Sequence, residues 1–244
     1  MKYYYDLHIH SALSPCGDAD MTPNNIVNMA KLNGLSVIAL TDHNSCANVR
    51  ATEKIAKNAG LIFLPGMELE TAEEIHVLCL FSDVDSAEKF DNDQVRPALP
   101  QIKNNEEIFG RQQILDENDE ETGTDPRYLI NATSITIDKV GQLVDSYGGI
   151  AIPAHIDKTT KSLVSVLGMV DKNMGFKLLE LSVNAPDDYI KTQSFLKDEN
   201  YFYMYNSDAH YLENISENNG KNFFCYDKPT LTSSKVMEFL KNKL

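Results

Sequence analysis

Short apolar runs alternate with segments of helical spacing along most of this 244-residue chain. The strand-like YYYDLHIH at 3–10 precedes helical spacing over 24–33, and the nearly continuous apolar run SVIALTD follows at 36–42. A run of that kind is typical of a strand buried on both faces of a sheet. Strands separated by helices favour parallel strands wrapped by helices, as a barrel or an open sheet. The alternation therefore predicts an α/β fold.

The same alternation continues to the end of the chain, apart from one interruption. Further strands are predicted at 61–70, 74–81, 148–155, 177–184, 201–210 and 222–226, and further helices at 45–60, 135–147, 163–171, 185–200 and 233–243. Residues 83–133 interrupt this order, contain the acidic stretch DENDEETGTD and are too few and too polar to form their own core. We expect a single domain over 1–244 with a helical and loop insertion at 83–133, which is a candidate cap for the barrel mouth.

The charge balance limits the classes of partner that the sequence predicts. The net charge is −14, from 36 acidic and 22 basic residues, so long-range repulsion of a phosphate backbone is expected. We therefore expect no non-specific binding of nucleic acid. Bound metal ions can reverse the field locally, so the charge leaves a small phosphorylated substrate open. The sequence has no apolar run of membrane-spanning length and no apolar signal segment at its start, which predicts a cytoplasmic protein without a membrane partner. Nothing in the sequence indicates an oligomeric state.

The histidines lie at or beside the ends of predicted strands, and the chain has six of them: His8, His10, His43, His76, His155 and His210. All except His76 follow or finish a strand, at the end where α/β folds build their sites. Glu68 and Asp208 fall at the same ends. Because imidazole and carboxylate together bind zinc, iron and manganese, the pattern predicts a metal site. His76 has the alternative of being an ordinary strand residue.

Two residue pairs refine this prediction. Residues two apart share one face of a strand, so His8 and His10 in DLHIH are expected side by side. Asp42 directly precedes His43, where its carboxylate would either cap a turn or orient a neighbouring histidine.

Six stretches of the chain, taken in order, resemble the PHP family of polymerase and histidinol phosphatase domains. They are DLHIH at 6–10, TDHN at 41–44, PGMELE at 65–70, EIHVL at 74–78, PAH at 153–155 and SDAH at 207–210. The resemblance implies a distorted (β/α)7 barrel with two to three divalent metal ions (zinc, manganese or iron) in its mouth.

The resemblance also implies three ligand sets. They are His8, His10, Glu68 and Asp208 for one metal; Glu68, His76 and His155 for a second; and His43, His210 and a residue of the first loop for a third. Asp42 would then orient a ligand rather than bind a metal. The first loop is about three residues longer than the family pattern, and counting back from Thr22 makes Asp18 the match and Asp20 the fallback.

For the reaction, the resemblance implies hydrolysis of a phosphate ester by a hydroxide that bridges two metals, with a third metal on a phosphoryl oxygen. The expected catalytic residues are Glu68, Asp208 and His210, and the leaving oxygen would take its proton from His210, Asp208 or a metal-bound water. Arg111 and Lys158 are candidate contacts to the substrate phosphate.

Several alternatives stay open at this point. The small substrate could be a nucleotide, a cyclic nucleotide phosphate or a sugar phosphate, and histidinol phosphate is a second enzymatic candidate. A polymerase-linked exonuclease is disfavoured by the acidic charge. A C–N hydrolase is a further candidate, but the predicted strands of this sequence offer no obvious lysine at their ends for such a site. A non-catalytic metal-binding module is disfavoured because nearly every expected ligand position is filled.

Overall fold

The computed structural model describes residues 1–197, 201–218, 220–227 and 230–243. The strands in these ranges are β1 Lys2–Asp6, β2 Val37–Leu40, β3 Ile62–Glu70, β4 His76–Leu80, β5 Gln113–Leu115, β6 Glu121–Thr124, β7 Ile150–Pro153, β8 Leu178–Ser182, β9 Phe202–Asn206 and β10 Phe223–Cys225. The α-helices are α1 Pro23–Leu32, α2 Val49–Ala59, α3 Val84–Phe90, α4 Arg96–Ala98, α5 Glu106–Phe109, α6 Ile137–Ser146, α7 Leu163–Leu167, α8 Tyr189–Thr192 and α9 Ser233–Lys241. Short 3-10 helices cover Lys172–Met174, Ser194–Leu196 and Leu212–Asn214, and a π-helical turn covers Asp91–Val95.

A six-stranded sheet in the order β10-β1-β2-β3-β4-β7 forms most of the scaffold. Strands β1, β2 and β3 are parallel, with Tyr5 opposite Val37 and Val37 opposite Ile62. Alternate residues of β2 contribute to two different apolar clusters, Val37 to one and Ile38 to the other. Both faces of this strand are therefore buried, which explains its continuous apolar sequence.

Strand β4 runs antiparallel to β3 and to β7, which differs from the all-parallel arrangement expected from the sequence. In the β3–β4 hairpin His76 lies opposite Glu70, and Leu78 lies opposite Glu68. Because β4 runs in the opposite direction, its first residue lies at the same end of the sheet as the last residues of β1, β2 and β3. His76 consequently joins the other histidines, although it begins its strand.

The parallel pair β8–β9 lies between β7 and β1 and completes the curl of the sheet. On one side the Ile156 N–H donates to the Glu180 carbonyl at 2.9 Å. On the other side Ile9 and Ala209 form an isolated parallel bridge. Seven strands, β1 to β4 and β7 to β9, thus surround the mouth. The prediction of an α/β fold of the distorted barrel type is confirmed.

The insertion predicted at 83–133 consists of short helices and the β5–β6 hairpin, which the sequence did not indicate. Its hairpin packs on the loop that follows β1, because Gln113 N–H donates to the Ala12 carbonyl at 2.9 Å. Asn48 fixes the same strand by donating to the Gln113 carbonyl at 3.0 Å. The insertion therefore borders the first loop, and its role as a cap remains a prediction.

The helix predicted at 185–200 is broken in the structure. Only α8 and the 3-10 turn Ser194–Leu196 form there, and residues 198–200 lie outside the described ranges. Within the described residues no helix is long and apolar enough to cross a membrane.

Candidate metal centre

The loops at the ends of the strands bring the six histidines into one buried cluster. Strand β1 ends at Asp6, earlier than predicted, but the side-by-side arrangement of the next two histidines is retained. The Nε2 atoms of His8 and His10 lie 3.2 Å apart, and both residues are fully buried. The ring of His10 stacks on that of His210 with centroids 4.2 Å apart.

The carboxylate of Glu68 lies at the centre of this cluster. Five histidines each place a ring nitrogen close to one or the other of its two oxygens. His8 at 3.3 Å, His76 at 2.9 Å and His155 at 3.0 Å approach Oε1, and His10 at 3.3 Å and His43 at 3.1 Å approach Oε2. Glu68 lies two residues before the end of the long strand β3, where its backbone N–H donates to the Asp42 carbonyl at 3.0 Å. One carboxylate is thereby shared by ligand atoms from several strands.

Asp208 forms the second acidic point of the cluster. Its Oδ1 lies 3.2 Å from Nε2 of His8 and 3.1 Å from Nε2 of His10. Its other oxygen contacts the ammonium group of Lys158, which is 40% exposed. The candidate phosphate contact Lys158 is therefore placed at the open side of the cluster.

Three groups of side chains in the described residues have ligand atoms within 4.8 Å of one another. They are His8, His10, Glu68 and Asp208; His43, Glu68 and His76; and His10, His43 and His210. The first group has the same members as the first predicted set. In the second group His43 stands where the prediction had His155, although His155 contacts the same oxygen of Glu68 as His76 does.

Asp18, the predicted ligand from the first loop, belongs to none of these three groups. Its carboxylate accepts a hydrogen bond from the backbone N–H of Asp20 at 2.9 Å. Its own backbone N–H donates to the His210 carbonyl at 2.9 Å, so the loop does lie against the third group. The fallback residue Asp20 is exposed to solvent.

The donor atoms of the cluster are better placed to bind metal ions than to form hydrogen bonds with one another. Four buried atoms of the cluster make no hydrogen bond in the structure: His43 Nδ1, Glu68 Oε2, His155 Nδ1 and Asp208 Oδ1. Unpaired polar atoms are costly to bury, so such a set calls for a ligand. Two nitrogens bound to one zinc ion at about 2.0–2.1 Å each lie about 3.0–3.4 Å apart, which matches the separation of His8 and His10.

The electrostatics of the metal-free cluster favour cation binding. Burial alone would raise the pKa of Glu68, but His76, His8 and His43 together hold it well below its usual range. Burial lowers the pKa of His76, and the neighbouring Glu68 outweighs this and raises it to about 9. For His210, burial and the nearby His10 lower the pKa to about 4. A ring with a raised pKa must lose a proton before it can bind a metal ion, so metal binding at His76 should depend on pH.

Hydrogen bonds to the outer nitrogens select the tautomer of two rings. Nδ1 of His8 lies 3.0 and 3.1 Å from the two oxygens of Glu180, which only accept, so His8 carries its hydrogen on Nδ1. Nδ1 of His210 lies 2.9 Å from the Asp208 carbonyl, with the same result. Nε2 of both rings is therefore left for a metal ion, an arrangement that metal-binding histidines usually show.

Glu180 is a site residue that the sequence analysis missed. It is buried in the middle of β8, and beyond His8 it accepts from the backbone N–H of His155 at 2.8 Å and from Asn206 Nδ2 at 2.7 Å. A signal was present in the sequence, since a single acid stands among apolar residues in LLELS. A carboxylate buried in a strand needs partners, and here the partners are two histidines of the cluster and Asn206.

Asp42 connects the loop that follows β1 with a histidine of the cluster, and its two predicted roles, capping a turn and orienting a histidine, both remain predictions. It accepts from Ser11 N–H and from the Ser14 hydroxyl, each at 2.7 Å. Ser14 in turn lies 2.9 Å from Nδ1 of His10. Asp42 is therefore linked to His10 through a serine.

Two residues of the cluster have left-handed backbone conformations. His155 has φ of 31° and Asp208 has φ of 55°. Non-glycine residues rarely adopt such angles, and each costs on the order of 1–3 kcal/mol. The fold retains this strain at the positions that turn two ligand atoms toward the centre.

Arg111, the other candidate phosphate contact, is 53% exposed and pairs with Glu121 at 2.5 Å. Arg111 is part of the insertion and follows Gly110, and Gly110 packs against the Pro15 carbonyl of the first loop. The structure thus places it beside the first loop but in no contact with the cluster residues described above.

The chain is similar to proteins of known family and fold. The sequence model of the PHP domain matches residues 6–217. A 5'-3' exoribonuclease of Haemophilus influenzae is 37% identical over 86 residues, which cover 34% of this chain and 30% of that protein. The chain thus matches less than a third of that relative's length.

Two solved structures share the fold. The lesion-specific endonuclease PfuEndoQ of Pyrococcus furiosus has a TM-score of 0.67 and 21% identity, over 99% of this chain and 56% of that chain. An amidohydrolase of Chromobacterium violaceum has a TM-score of 0.62 and 18% identity, over 97% of this chain and 96% of that chain.

These similarities overturn the prediction of partners. A small phosphorylated substrate and no non-specific binding of nucleic acid had been expected, yet the similar proteins include an exoribonuclease and a DNA lesion endonuclease. The prediction was wrong because net charge describes only the long-range field. Bound cations determine the charge where a phosphate group would lie.

The family match settles the class of the protein at a coarser level. Metal dependence and hydrolysis of phosphoester bonds, both predicted, are confirmed as properties of the class. The number and identity of the ions and the ligand set of each ion remain predictions, as does a cytoplasmic location. Since the match extends over most of the sequence, the chain belongs to the PHP domain family.

Proposed function

We propose that the chain hydrolyses phosphodiester bonds of RNA with two or three divalent ions of zinc, manganese or iron. The observation that carries this proposal is the shared carboxylate of Glu68, which belongs to two adjacent ligand groups. The two ligand groups that share Glu68 would hold two ions, and these would supply Lewis acidity to an in-line displacement and lower the pKa of water. The similarity to an exoribonuclease supports RNA as the substrate.

The position of each side chain in the cluster determines which ion it would hold. His8, His10 and Asp208 would hold one ion together with Glu68, and His43 and His76 would hold the next. His155 reaches the shared oxygen of Glu68 and would complete the second set, as predicted.

Lys158 is the proposed contact to a phosphate oxygen. Its ammonium group touches Asp208 at the open side of the cluster, and it remains partly exposed. Burial lowers the pKa of Lys158, but Asp208 outweighs this and raises it, so the group stays charged at neutral pH. A charged ammonium group beside the metal ligands is suited to bind a phosphate oxygen that enters from solvent.

His210 is better suited to bind a metal ion than to protonate the leaving oxygen. With its hydrogen on Nδ1, its Nε2 presents a lone pair to the group formed with His10 and His43. Donation of a proton from Nε2 would require the doubly protonated ring, which the low pKa disfavours. The predicted role of His210 or Asp208 as proton donor is therefore the weaker part of the catalytic assignment.

The test uses the full chain purified without chelator, with bound metals quantified by mass spectrometry. We expect a labelled single-stranded RNA to be shortened by this protein with added manganese, and the activity to vanish with chelator or in Glu68→Gln. Asp145→Asn is the matched control, since this carboxylate of α6 is 75% exposed.

Phosphomonoesters, including histidinol phosphate, are assayed beside the RNA. Phosphate release from a monoester with the RNA left intact would contradict the proposal and return histidinol-phosphate phosphatase as the function. Bound metals without hydrolysis of either substrate would indicate a non-catalytic module.

A further inference from the structure

His43 lies three residues beyond the end of β2, where the regular pairing of that strand has stopped. Its ring nitrogen Nδ1 nevertheless lies 3.1 Å from Oε2 of Glu68, and His43 belongs to two of the three ligand groups. The backbone of His43 is held by Ser14, whose hydroxyl accepts from the His43 N–H at 3.1 Å, and by an isolated parallel bridge to Glu68. The direction of this ligand therefore depends on the contacts of its loop.

The next residue, Asn44, is fully buried, and each polar atom of its side chain is hydrogen-bonded. Its Oδ1 accepts from the Glu70 N–H at 3.0 Å. Its Nδ2 donates to the carbonyls of Leu129 at 2.7 Å and of Asn131 at 3.0 Å. One amide group thus joins the ligand loop to strand β3 on one side and to the end of the insertion on the other.

The backbone of Asn44 is fixed as well. Its N–H donates to the Glu68 carbonyl at 3.0 Å, and its φ of 48° is left-handed. Glycine, asparagine and aspartate are the residues that adopt this conformation most readily. Of these three, only asparagine also supplies two donors and an acceptor from its side chain. Asparagine therefore matches both the turn and the three partners of its amide.

Glu68 depends less on Asn44 than His43 does. The Glu68 N–H donates to the Asp42 carbonyl at 3.0 Å, and Glu68 is paired with Leu78 within the β3–β4 hairpin. These contacts do not involve the amide of Asn44. A change in that amide should consequently disturb the ions bound by His43 and spare the ion of the first group, which does not include His43.

We propose that Asn44 is a positioning residue for His43, and that it acts by tying the ligand loop to the insertion at Leu129 and Asn131. This rests on the proposed function, from which it takes the ligand groups, and it gives the insertion a part in metal binding. Asn44 itself is not among the ligands.

The experiment titrates metal-free protein with Mn²⁺ and measures free manganese by electron paramagnetic resonance. Asn44→Gly accepts the left-handed backbone and removes all three side-chain hydrogen bonds. Asn44→Asp keeps the shape and the acceptor for Glu70, but it turns a carboxylate oxygen toward two carbonyls. Each variant should weaken the binding of the ions that depend on His43 about 10- to 100-fold, the usual effect of losing a residue that supports a ligand.

His43→Ala identifies those ions and completes a double-mutant cycle. The binding steps that are lost in His43→Ala are the ones that Asn44→Gly should weaken in the wild-type background. In the His43→Ala background, Asn44→Gly should change the remaining manganese affinity far less, because the residue that it positions is already gone. General damage to the fold would instead lower the affinity equally in both backgrounds.

Asn222→Ala is the matched control. Asn222 is also fully buried, and its Nδ2 donates to the carbonyls of Tyr5 at 2.8 Å and of Glu217 at 3.1 Å, outside the cluster. This variant should lower the unfolding free energy measured in chelator and leave the manganese affinities unchanged. Unchanged affinities in both Asn44 variants, or equal losses in the two backgrounds of the cycle, would overturn the role of Asn44.

The titration contains no RNA, so its result is separate from the test of the proposed function. If wild-type protein binds manganese and leaves RNA intact, the proposed function fails, and the double-mutant cycle still decides the role of Asn44. If wild-type protein binds no manganese, the ligand groups are wrong and both proposals fail.

Discussion

Replacing Glu180 by glutamine should weaken metal binding without removing any metal ligand. The carboxylate of Glu180 contacts Nδ1 of His8 with both oxygens and thereby leaves Nε2 for a metal ion. A carboxylate that holds a metal-binding histidine makes the ring more basic, and loss of such a partner usually costs 10–100-fold in affinity, about 1.4–2.7 kcal/mol. Glutamine keeps the shape of the side chain and removes its charge.

The hydrogen bonds of Glu180 add a second, separate cost. One oxygen accepts from His155 N–H at 2.8 Å and the other from Asn206 Nδ2 at 2.7 Å. The amide nitrogen of glutamine would face one of these two donors in either orientation. Turning Asn206 does not help, since its Oδ1 already accepts from Leu7 N–H at 2.8 Å. One buried donor is left unpaired, which costs about 1–3 kcal/mol of unfolding free energy.

The two costs are measured separately on one protein. Competition with a fluorescent chelator gives the metal affinity, and denaturation in chelator gives the unfolding free energy of the metal-free chain. Asp91→Asn is the control, because Asp91 is a buried carboxylate outside the cluster that accepts from Cys46 N–H at 2.9 Å. It should lose stability and keep its metal affinity. Unchanged affinity in Glu180→Gln, or an equal loss in the control, would refute the reasoning.

Three further predictions follow from the site. The pKa of His76 is raised from 6.5 to about 9 in the fold, so its protonated ring stabilises the metal-free fold fully below pH 6.5, and this stabilisation is lost as the pH rises through about 9. With chelator present, the Tm should therefore fall between these two pH values, and it should fall less in His76→Asn. Gly17→Ala would place a Cβ 2.4 Å from the Ser11 carbonyl and should cost about 1–3 kcal/mol in denaturation, whereas Gly123→Ala meets nothing within 4 Å and should cost far less. Lys158→Met should raise KM for RNA about 10-fold yet bind metal at least as tightly, because the ammonium group no longer competes for Asp208; weaker metal binding would contradict this.

The location of the site was predictable because strand ends can be read from apolar runs. The runs of β1, β2, β3, β7 and β9 each stop at a histidine or an acid, and the barrel brings those strand ends together. The direction of β4 was also accessible, although the prediction missed it. Only five residues separate Glu70 from His76, whereas a parallel crossover needs a dozen or more.

Other features depend on contacts between distant segments and could not be predicted from local patterns. The loop after β1 is longer than the family pattern, so counting residues could not show that the Asp18 carboxylate turns to Asp20 while its backbone binds His210. The choice between His43 and His155 in the second group depends on side-chain directions at strand ends. Strand periodicity does not specify those directions once the strand has ended.

Because of the strand order, a metal ion held by the first ligand group would connect two segments that are far apart in the chain. Its predicted ligands His8 and Asp208 stand 200 residues apart in the sequence and come from the two strands that meet where the sheet closes. The backbone pairing there is the isolated bridge between Ile9 and Ala209, in which His10 N–H donates to the Ala209 carbonyl at 2.9 Å and Ala209 N–H donates to the His8 carbonyl at 3.3 Å. An ion at this point would close a very long loop and so reduce the entropy of the unfolded chain considerably. Removal of metal should accordingly loosen this seam before the β3–β4 hairpin, whose ligands are neighbours along the chain.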